Sequence, residues 1–137
     1  MRIAYAAIIM IMISASSAFA ANWEFVTGSD NCDISVDANS LVRKGNLVQC
    51  WVMFDYRKAR YLPDRKEFYS SEFLYEIDSI KREIKILSSY SFADNGGAGV
   101  IVCSGNEDLW PPVKIPTGSA AEMIMNYAFK TSQNRTK

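Results

Sequence analysis

Leu47-Val48-Gln49-Cys50-Trp51-Val52-Met53-Phe54-Asp55-Tyr56 is the stretch whose reading decides the fold. One alternate set is Val48, Cys50, Val52, Phe54 and Tyr56, wholly apolar. The other is Leu47, Gln49, Trp51, Met53 and Asp55, mostly so. Aromatic and β-branched side chains alternating in this way predict a central strand covered to some degree on both faces. Lys44-Gly45-Asn46 just before it is a turn signal, so the strand enters as the return arm of a hairpin. A helix over the same residues is disfavoured by the Val and aromatic content and by that flanking turn.

Working outward, the N-terminal side offers two shorter strands. Asn22-Trp23-Glu24-Phe25-Val26 alternates before Thr27-Gly28-Ser29-Asp30-Asn31, and Cys32-Asp33-Ile34-Ser35-Val36-Asp37 alternates with Ile34 and Val36 inward. Ala38-Asn39-Ser40 interrupts the pattern as a bulge or bend, and Leu41-Val42-Arg43 leads into the turn. On the C-terminal side, Arg57 to Glu67 reads as a charged loop, because Pro63 excludes a central strand there. Alternation resumes in Glu72 to Asp78, with Phe73, Tyr75 and Ile77 on one face. It continues in Lys81 to Phe92, with Ile84, Ile86, Tyr90 and Phe92 on one side and Lys81, Glu83, Lys85 and Ser89 on the other.

Asp94-Asn95-Gly96-Gly97-Ala98-Gly99 is a flexible turn before a short strand, Val100 to Cys103. Ser104 to Thr117 is expected to be irregular, with Pro111, Pro112 and Pro116 barring regular pairing. One helix closes the chain. Ser119-Ala120-Ala121-Glu122 fits a capping box, and Ala121, Ile124, Met125 and Ala128 then share a face at helical spacing. Residues 131–137 are polar and expected to fray. Strands first and a helix last predict an α+β domain: a single antiparallel sheet of about six strands, meander-like, with one C-terminal α-helix packed on it.

Met1-Arg2, an apolar run from Ile3 to Ile13, and Ala18-Phe19-Ala20 compose a secretory signal peptide over residues 1–20. The apolar run is short for a bilayer crossing of about 20 residues. Residues 21–137 are then one exported domain with no integral membrane segment, periplasmic or secreted. Of 15 basic and 15 acidic residues in the whole chain, removal of Arg2 leaves 14 against 15, a net charge of −1. That neutrality gives no reason to expect nucleic acid or an anionic membrane as partner. Histidine is absent, which removes the commonest general base and the commonest transition-metal ligand. Cys32, Cys50 and Cys103 are either free thiols or, for two of them, a disulfide; the sequence leaves all three pairings open.

Residue sets that carry chemistry are mostly missing from the sequence. No Ser sits in a Gly-x-Ser-x-Gly elbow. Asp30, Asp33 and Asp37 lack the glycine and spacing of a calcium loop. Glu76 and Asp78 share a strand face but read as a solvated pair, and Gly97-Ala98-Gly99 precedes a strand where a dinucleotide loop needs a helix. No catalytic residue, cofactor or metal is therefore predicted. The candidate partner-binding loop is Arg57, Lys58, Arg60, Tyr61, Arg65 and Lys66: five cations and an aromatic within ten residues, suited to an acidic protein patch or a sulfated glycan. Trp110 before Pro111-Pro112 is either an exposed anchor or a lid on one end of the core.

The order of short motifs adds a resemblance. Val36-Asp37 with Ser40-Leu41 comes first, then Asn46 leading to Trp51 and Phe54-Asp55-Tyr56. Ser71, Tyr75-Glu76-Ile77-Asp78, Arg82 and a strand containing Tyr90 follow, then the Gly-rich loop, Trp110, and Ile115-Pro116-Thr117-Gly118-Ser119 with Glu122. Over Asn22 to Lys130 this order resembles the surface-adhesin protein E-like family of exported bacterial proteins. The resemblance implies an antiparallel sheet with a C-terminal helix, able to form a homodimer through the sheet. It also implies a non-enzymatic binding module for host-matrix or envelope proteins, the family's namesake being a lipid-anchored adhesin. This chain departs from the family at two points. It has Ser79 and Ala128 or Phe129 where members carry cysteines, and no Cys at the expected cleavage point, where Ala21 stands. The second departure favours an alternative function, a periplasmic structural or stress-related envelope protein without a host ligand.

Overall fold

The computed structural model describes residues 20–106 and 109–135; the expected signal peptide lies almost wholly outside them. Among the described residues eight strands and one α-helix are formed: β1 Trp23–Gly28, β2 Cys32–Asp37, β3 Val42–Lys44, β4 Leu47–Tyr61, β5 Glu67–Asp78, β6 Glu83–Phe92, β7 Ile101–Asn106, β8 Val113–Lys114 and α1 Ala120–Asn134. They make a single antiparallel sheet in the order β1-β2-β4-β5-β6-β7. The short β3 pairs with the start of β4, and β8 with the start of β6. The α+β meander expected from the sequence is the fold observed.

β4 is the centre of it. Val48, Cys50 and Val52 face Ile77, Tyr75 and Phe73 across β5, and Ile34 and Val36 face Phe54 and Val52 across β2. α1 lays Ile124, Met125 and Ala128 on this inner face, and these residues form one buried cluster with Ile84 and Ile115. Burying side chains of this size contributes about 1.5–3 kcal/mol each, which makes this face the source of cohesion. Ser119 caps the helix by accepting from the Glu122 amide at 3.2 Å. Glu122 reaches back to the Gly118 amide at 3.3 Å, one residue earlier than the usual capping box. The Glu122 carboxylate also accepts from Arg82, which stands at the β5–β6 turn. Tyr127 donates to Glu24 on β1, and the Arg43 guanidinium lies 5.1 Å from the Phe129 ring. Charge and aromatic contacts thus fasten the helix at its start and along its body. The helix continues to Asn134 with Ser132 buried, so the first four residues of the tail expected to fray from residue 131 are helical. Ser132 donates to the Phe129 carbonyl at 3.0 Å, which satisfies its hydroxyl inside the last turns.

The outer face is not covered by α1. Trp51 and Tyr90 stack there with ring centroids 5.9 Å apart. Tyr90 and Phe92 were expected to point the same way as Ile84 and Ile86, and they do not. The β5–β6 register slips between Leu74 and Tyr75, leaving Leu87 as an extra residue in β6. A bulge of one residue moves every later side chain to the opposite face. Ser89 and Ser91 consequently turn inward, where Ser91 and Ser71 share a 2.9 Å hydrogen bond.

Two connections also differ from expectation. Arg57 to Glu67 is not a loop: β4 runs on through Tyr61, β5 begins at Glu67, and only Leu62 to Lys66 turn. Pro63 sits in that turn, so its missing N–H costs the ladder nothing. The stretch from Ser104 to Thr117 is less irregular than its prolines imply, since β7 extends to Asn106 and Val113–Lys114 forms β8. Trp110 takes the lid position, half-buried and edge-on to Phe73 with centroids 6.3 Å apart.

Candidate functional site

The six predicted binding residues lie together on one β-hairpin arm. β2 accompanies β4 only as far as the Cys32–Tyr56 pair, and β6 accompanies β5 only from Ser70 onward. Arg57 to Tyr69 therefore projects past the body of the sheet, held internally by the Arg60–Phe68 and Tyr61–Glu67 pairs. The ladder is irregular between Asp55 and Arg60, a bulge at the root of the arm. One face is stiffened by aromatic packing: Tyr56 meets Phe68 edge-on at 5.9 Å, and Arg60 lies over the Tyr56 ring at 5.1 Å.

The cations on the arm are not equivalent. Arg57 is bound into the body, pairing with Asp33 at 2.6 Å and donating to the Ser29 carbonyl. Lys66 sits 3.8 Å from Asp64, a loose exposed pair of small energetic weight. Lys58 and Arg65 are exposed, and their side chains have no polar partner among the described residues. Tyr61 is 63% exposed, and the facing Glu67 raises its phenol pKa. Arg65 holds the turn at φ 66°, a left-handed conformation uncommon for a side chain of its size. The result is an arm fixed at its root by Arg57, with freely solvated charge toward its tip.

The root has a second fastening that the sequence did not announce. The Gly-rich stretch after β6, read as a flexible turn, forms one helical turn over Asn95–Gly97 and docks on the outer face. The Asn95 side-chain amide donates to Asp55 at 2.6 Å, to the Tyr56 carbonyl at 2.8 Å and to the Tyr69 carbonyl at 3.3 Å. Those carbonyls belong to the bulged root, where the β4–β5 ladder leaves Tyr56 and Tyr69 unpaired with each other's strand. The Gly96 amide adds a bond to Asp55 at 3.1 Å, and the Gly97 amide one to the buried Ser70 hydroxyl at 2.9 Å. Glu72 lies directly beneath Gly97, and burial raises its carboxyl pKa. An Asn ahead of two glycines was visible in the sequence, but its acceptors lie some forty positions away for Asp55 and Tyr56.

The other titratable candidates are structural. Asp78 accepts from the Ile80 and Lys81 amides at 2.9 Å and shapes the β5–β6 turn, while Glu76 accepts from Gln49 at 3.0 Å. Asp37 caps the turn over Ala38–Ser40, accepting from the Asn39 amide at 3.0 Å. No group of side chains able to hold a metal ion occurs among the described residues. A groove of about 210 Å³ on the outer face is lined by Val42, Lys44, Leu47, Gln49 and Glu76, and brings no nucleophile beside a base.

The three cysteines are all free thiols. Cys32 faces Tyr56, so Cys50 is six residues away along β4, about 20 Å at the strand rise. Cys103 faces Ser91 on β6, three strands from β4 and about 14 Å across the sheet. A disulfide needs Cα atoms within about 7 Å, so no pair can close within the chain. Cys50 is fully buried under the helix, and burial pushes its thiol up to about 12.

Comparison with known proteins agrees with this architecture. Two crystal structures of Haemophilus influenzae protein E share the fold. One superimposes with a TM-score of 0.56 at 12% identity, covering 82% of this chain and 84% of the other. A second crystal form gives 0.55 at 10% identity, covering 82% and 94%. A search of curated protein sequences gives no match. The sequence profile described as Surface-adhesin protein E matches residues 23–128, which span β1 to most of α1 and include the arm. This chain belongs to the surface-adhesin protein E family.

Proposed function

We propose that this protein is an exported, non-enzymatic binding module that docks through the β4–β5 arm onto an acidic surface of a host-matrix or envelope partner, a protein or a sulfated glycan. The observation that carries the proposal is the arm: five cations on a hairpin that projects beyond the sheet, with the Lys58 and Arg65 side chains unpaired among the described residues. Family membership supports an adhesin-like role. Clustered charges of this kind act over a Debye length of about 8 Å at physiological salt and chiefly raise the association rate. The test is capture of matrix and envelope components by wild type and by an arm carrying Lys58→Glu and Arg65→Glu. Partner capture at physiological salt that the double variant loses supports the reading; identical capture by both refutes it.

A second reading, a periplasmic envelope protein without a host ligand, is favoured by Ala21, since no lipid-accepting Cys follows the expected cleavage point. Surface labelling of whole cells against periplasmic extraction separates the two. Homodimerisation through the sheet belongs to either reading, and β7 supports it. This edge strand carries no charged residue; Ile101 at its start is 55% exposed, and Val100 just before it 71%. Isologous pairing of two such edges about a two-fold axis is a closed arrangement, and Cys103 lies near the middle of β7. A register placing Cys103 opposite its copy predicts an oxidised dimer that Cys103→Ser abolishes on non-reducing gels.

A further inference from the structure

We infer that the outer edge of β4 in the arm, from Arg57 to Tyr61, is a strand-addition site for an extended acidic peptide segment of the partner. The inference rests on the arm being the docking element and names the chemistry it takes.

The edge is open because of where β2 stops. Cys32 pairs with Tyr56, the Arg57 amide makes one last bond to the Asn31 carbonyl at 2.9 Å, and the chain then turns back toward β1. On its other side β4 is paired, Arg60 with Phe68 and Tyr61 with Glu67. Residues 58–61 all belong to β4, Arg60 and Tyr61 held by those pairs and Lys58 and Ala59 within the bulge, and among the described residues no strand pairs with them on the outward side. An open ladder of this kind is complementary to another peptide backbone; a glycan has no main-chain N–H and C=O groups at the strand repeat to match it. Four residues span about 13 Å, room for a short segment lying end-on to β2 and antiparallel to β4.

The edge is also pre-ordered. Asn95 fixes the carbonyls on both strands at the root, and the Tyr56–Phe68–Arg60 stack stiffens one face, so little conformational entropy remains to be lost on pairing. Charge then selects the occupant. Lys58 and Arg60 stand on the edge strand, and Arg65 and Lys66 at its far end. Charged residues on an edge commonly serve only to keep edges apart, and here they do repel a second copy of the same arm. An incoming strand with carboxylates at alternate positions inverts that repulsion, because side chains at alternate positions face one side of the extended sheet. The selection is therefore against self and for acid.

Fluorescence anisotropy on the full chain tests this with a dye-labelled eight-residue peptide of alternating Glu and Val. Two further versions are N-methylated on the backbone at the Glu residues or at the Val residues. Strand addition uses only the N–H groups that face β4, so one methylated version is expected to bind at least tenfold more weakly while the other keeps the parent affinity. Lys58→Glu with Arg65→Glu is expected to abolish binding of the parent peptide. Equal affinity of all three peptides, or equal loss in both methylated versions, overturns strand addition. Failure of the parent peptide to bind overturns it too. The arm itself is scored separately in the same assay with a heparin fragment: salt-sensitive binding lost in the double variant keeps the arm as docking element even where the peptide result is negative.

Discussion

Replacing Asn95 by alanine tests the fastening on which the arm depends. The amide nitrogen carries two hydrogens and faces three acceptors, Asp55 and the Tyr56 and Tyr69 carbonyls, so two bonds are fully made at any moment and the 3.3 Å contact shares a hydrogen. A net contribution of about 0.5–1.5 kcal/mol per bond gives about 1–3 kcal/mol for the pair. Asn95 is exposed, so water can reach the abandoned acceptors and the lower half of that figure is the expectation, about 1–2 kcal/mol. With a urea m-value of about 1–2 kcal/mol/M, the denaturation midpoint should fall by roughly 1 M. The loss should be local as well as global: amides of Lys58–Tyr61 and Phe68–Tyr69 should exchange faster, and those of Val48–Val52 should not. Asn95→Asp sharpens the test, because it sets a carboxylate against Asp55 and two carbonyls and should cost more than alanine. A midpoint shift under about 0.2 M for Asn95→Ala, or an Asp variant no worse than the Ala variant, would refute the account of Asn95 as the donor that secures the root.

Three further outcomes follow from the geometry. Burial pushes the Cys50 thiol to about 12, and burial with the Glu24 hydrogen bond takes Tyr127 to about 12. A folded pKa above the unfolded one means stability is whole below pH 9 and declines as pH rises toward 12; urea midpoints flat to pH 11 would exclude this, and Tyr127→Phe should flatten part of the slope. Glu122 is held below its ordinary value first by the Arg82 hydrogen bond and then by the Gly118 amide, so its contribution is present above pH 4.5 and lost as pH falls further. Far-UV dichroism should show helix loss on that side of 4.5 in wild type, and no such step in Glu122→Gln. Gly97 has φ +70° with Glu72 and Met53 against the place a Cβ would occupy, whereas Gly45 at φ +58° has nothing within 4 Å. Gly45→Ala should therefore cost about 1 kcal/mol and Gly97→Ala clearly more, read as thermal midpoints; equal shifts would mean that the loop does not press on the sheet.

The inner face was legible because its signal is local. Val48, Cys50, Val52, Phe73, Tyr75 and Ile77 alternate within their own strands, and burial on one face requires just that. The helix was legible from Ser119 and Glu122, whose roles are fixed by three residues of spacing. Tyr90 was misplaced because one surplus residue, Leu87, reverses the parity, and nothing about a leucine among Ile86 and Ser88 distinguishes a bulge from a continuing strand. The bulge is decided by what β5 offers across the gap, which is information outside β6. The arm was misread for a related reason. Charged residues and a proline are poor strand formers taken singly, yet pairing with Phe68 and Glu67 and the stack of Arg60 on Tyr56 outweigh that preference.

What composition could not disclose about the site is which charges are already spent. Arg57 is neutralised by Asp33, 24 positions earlier, while Lys58 beside it is not. The division is spatial: neutralised charge and the Asn95 bonds gather at the root, where the arm joins the sheet, and unpaired charge lies further out. That arrangement separates two tasks which would otherwise conflict. A binding element needs free charge, and free charge on a hairpin repels itself and costs stability. Anchoring the root through Asp33, Asp55 and two carbonyls lets the outer residues stay uncompensated without the hairpin losing its shape. Mutations at the root should therefore weaken binding by loosening the arm, and do so with little change in salt dependence. Mutations at Lys58 or Arg65 should change the salt dependence and leave stability nearly untouched. If both classes altered salt dependence and stability together, root and tip would be one electrostatic unit, and the separation argued from Arg57 and Asn95 would be wrong.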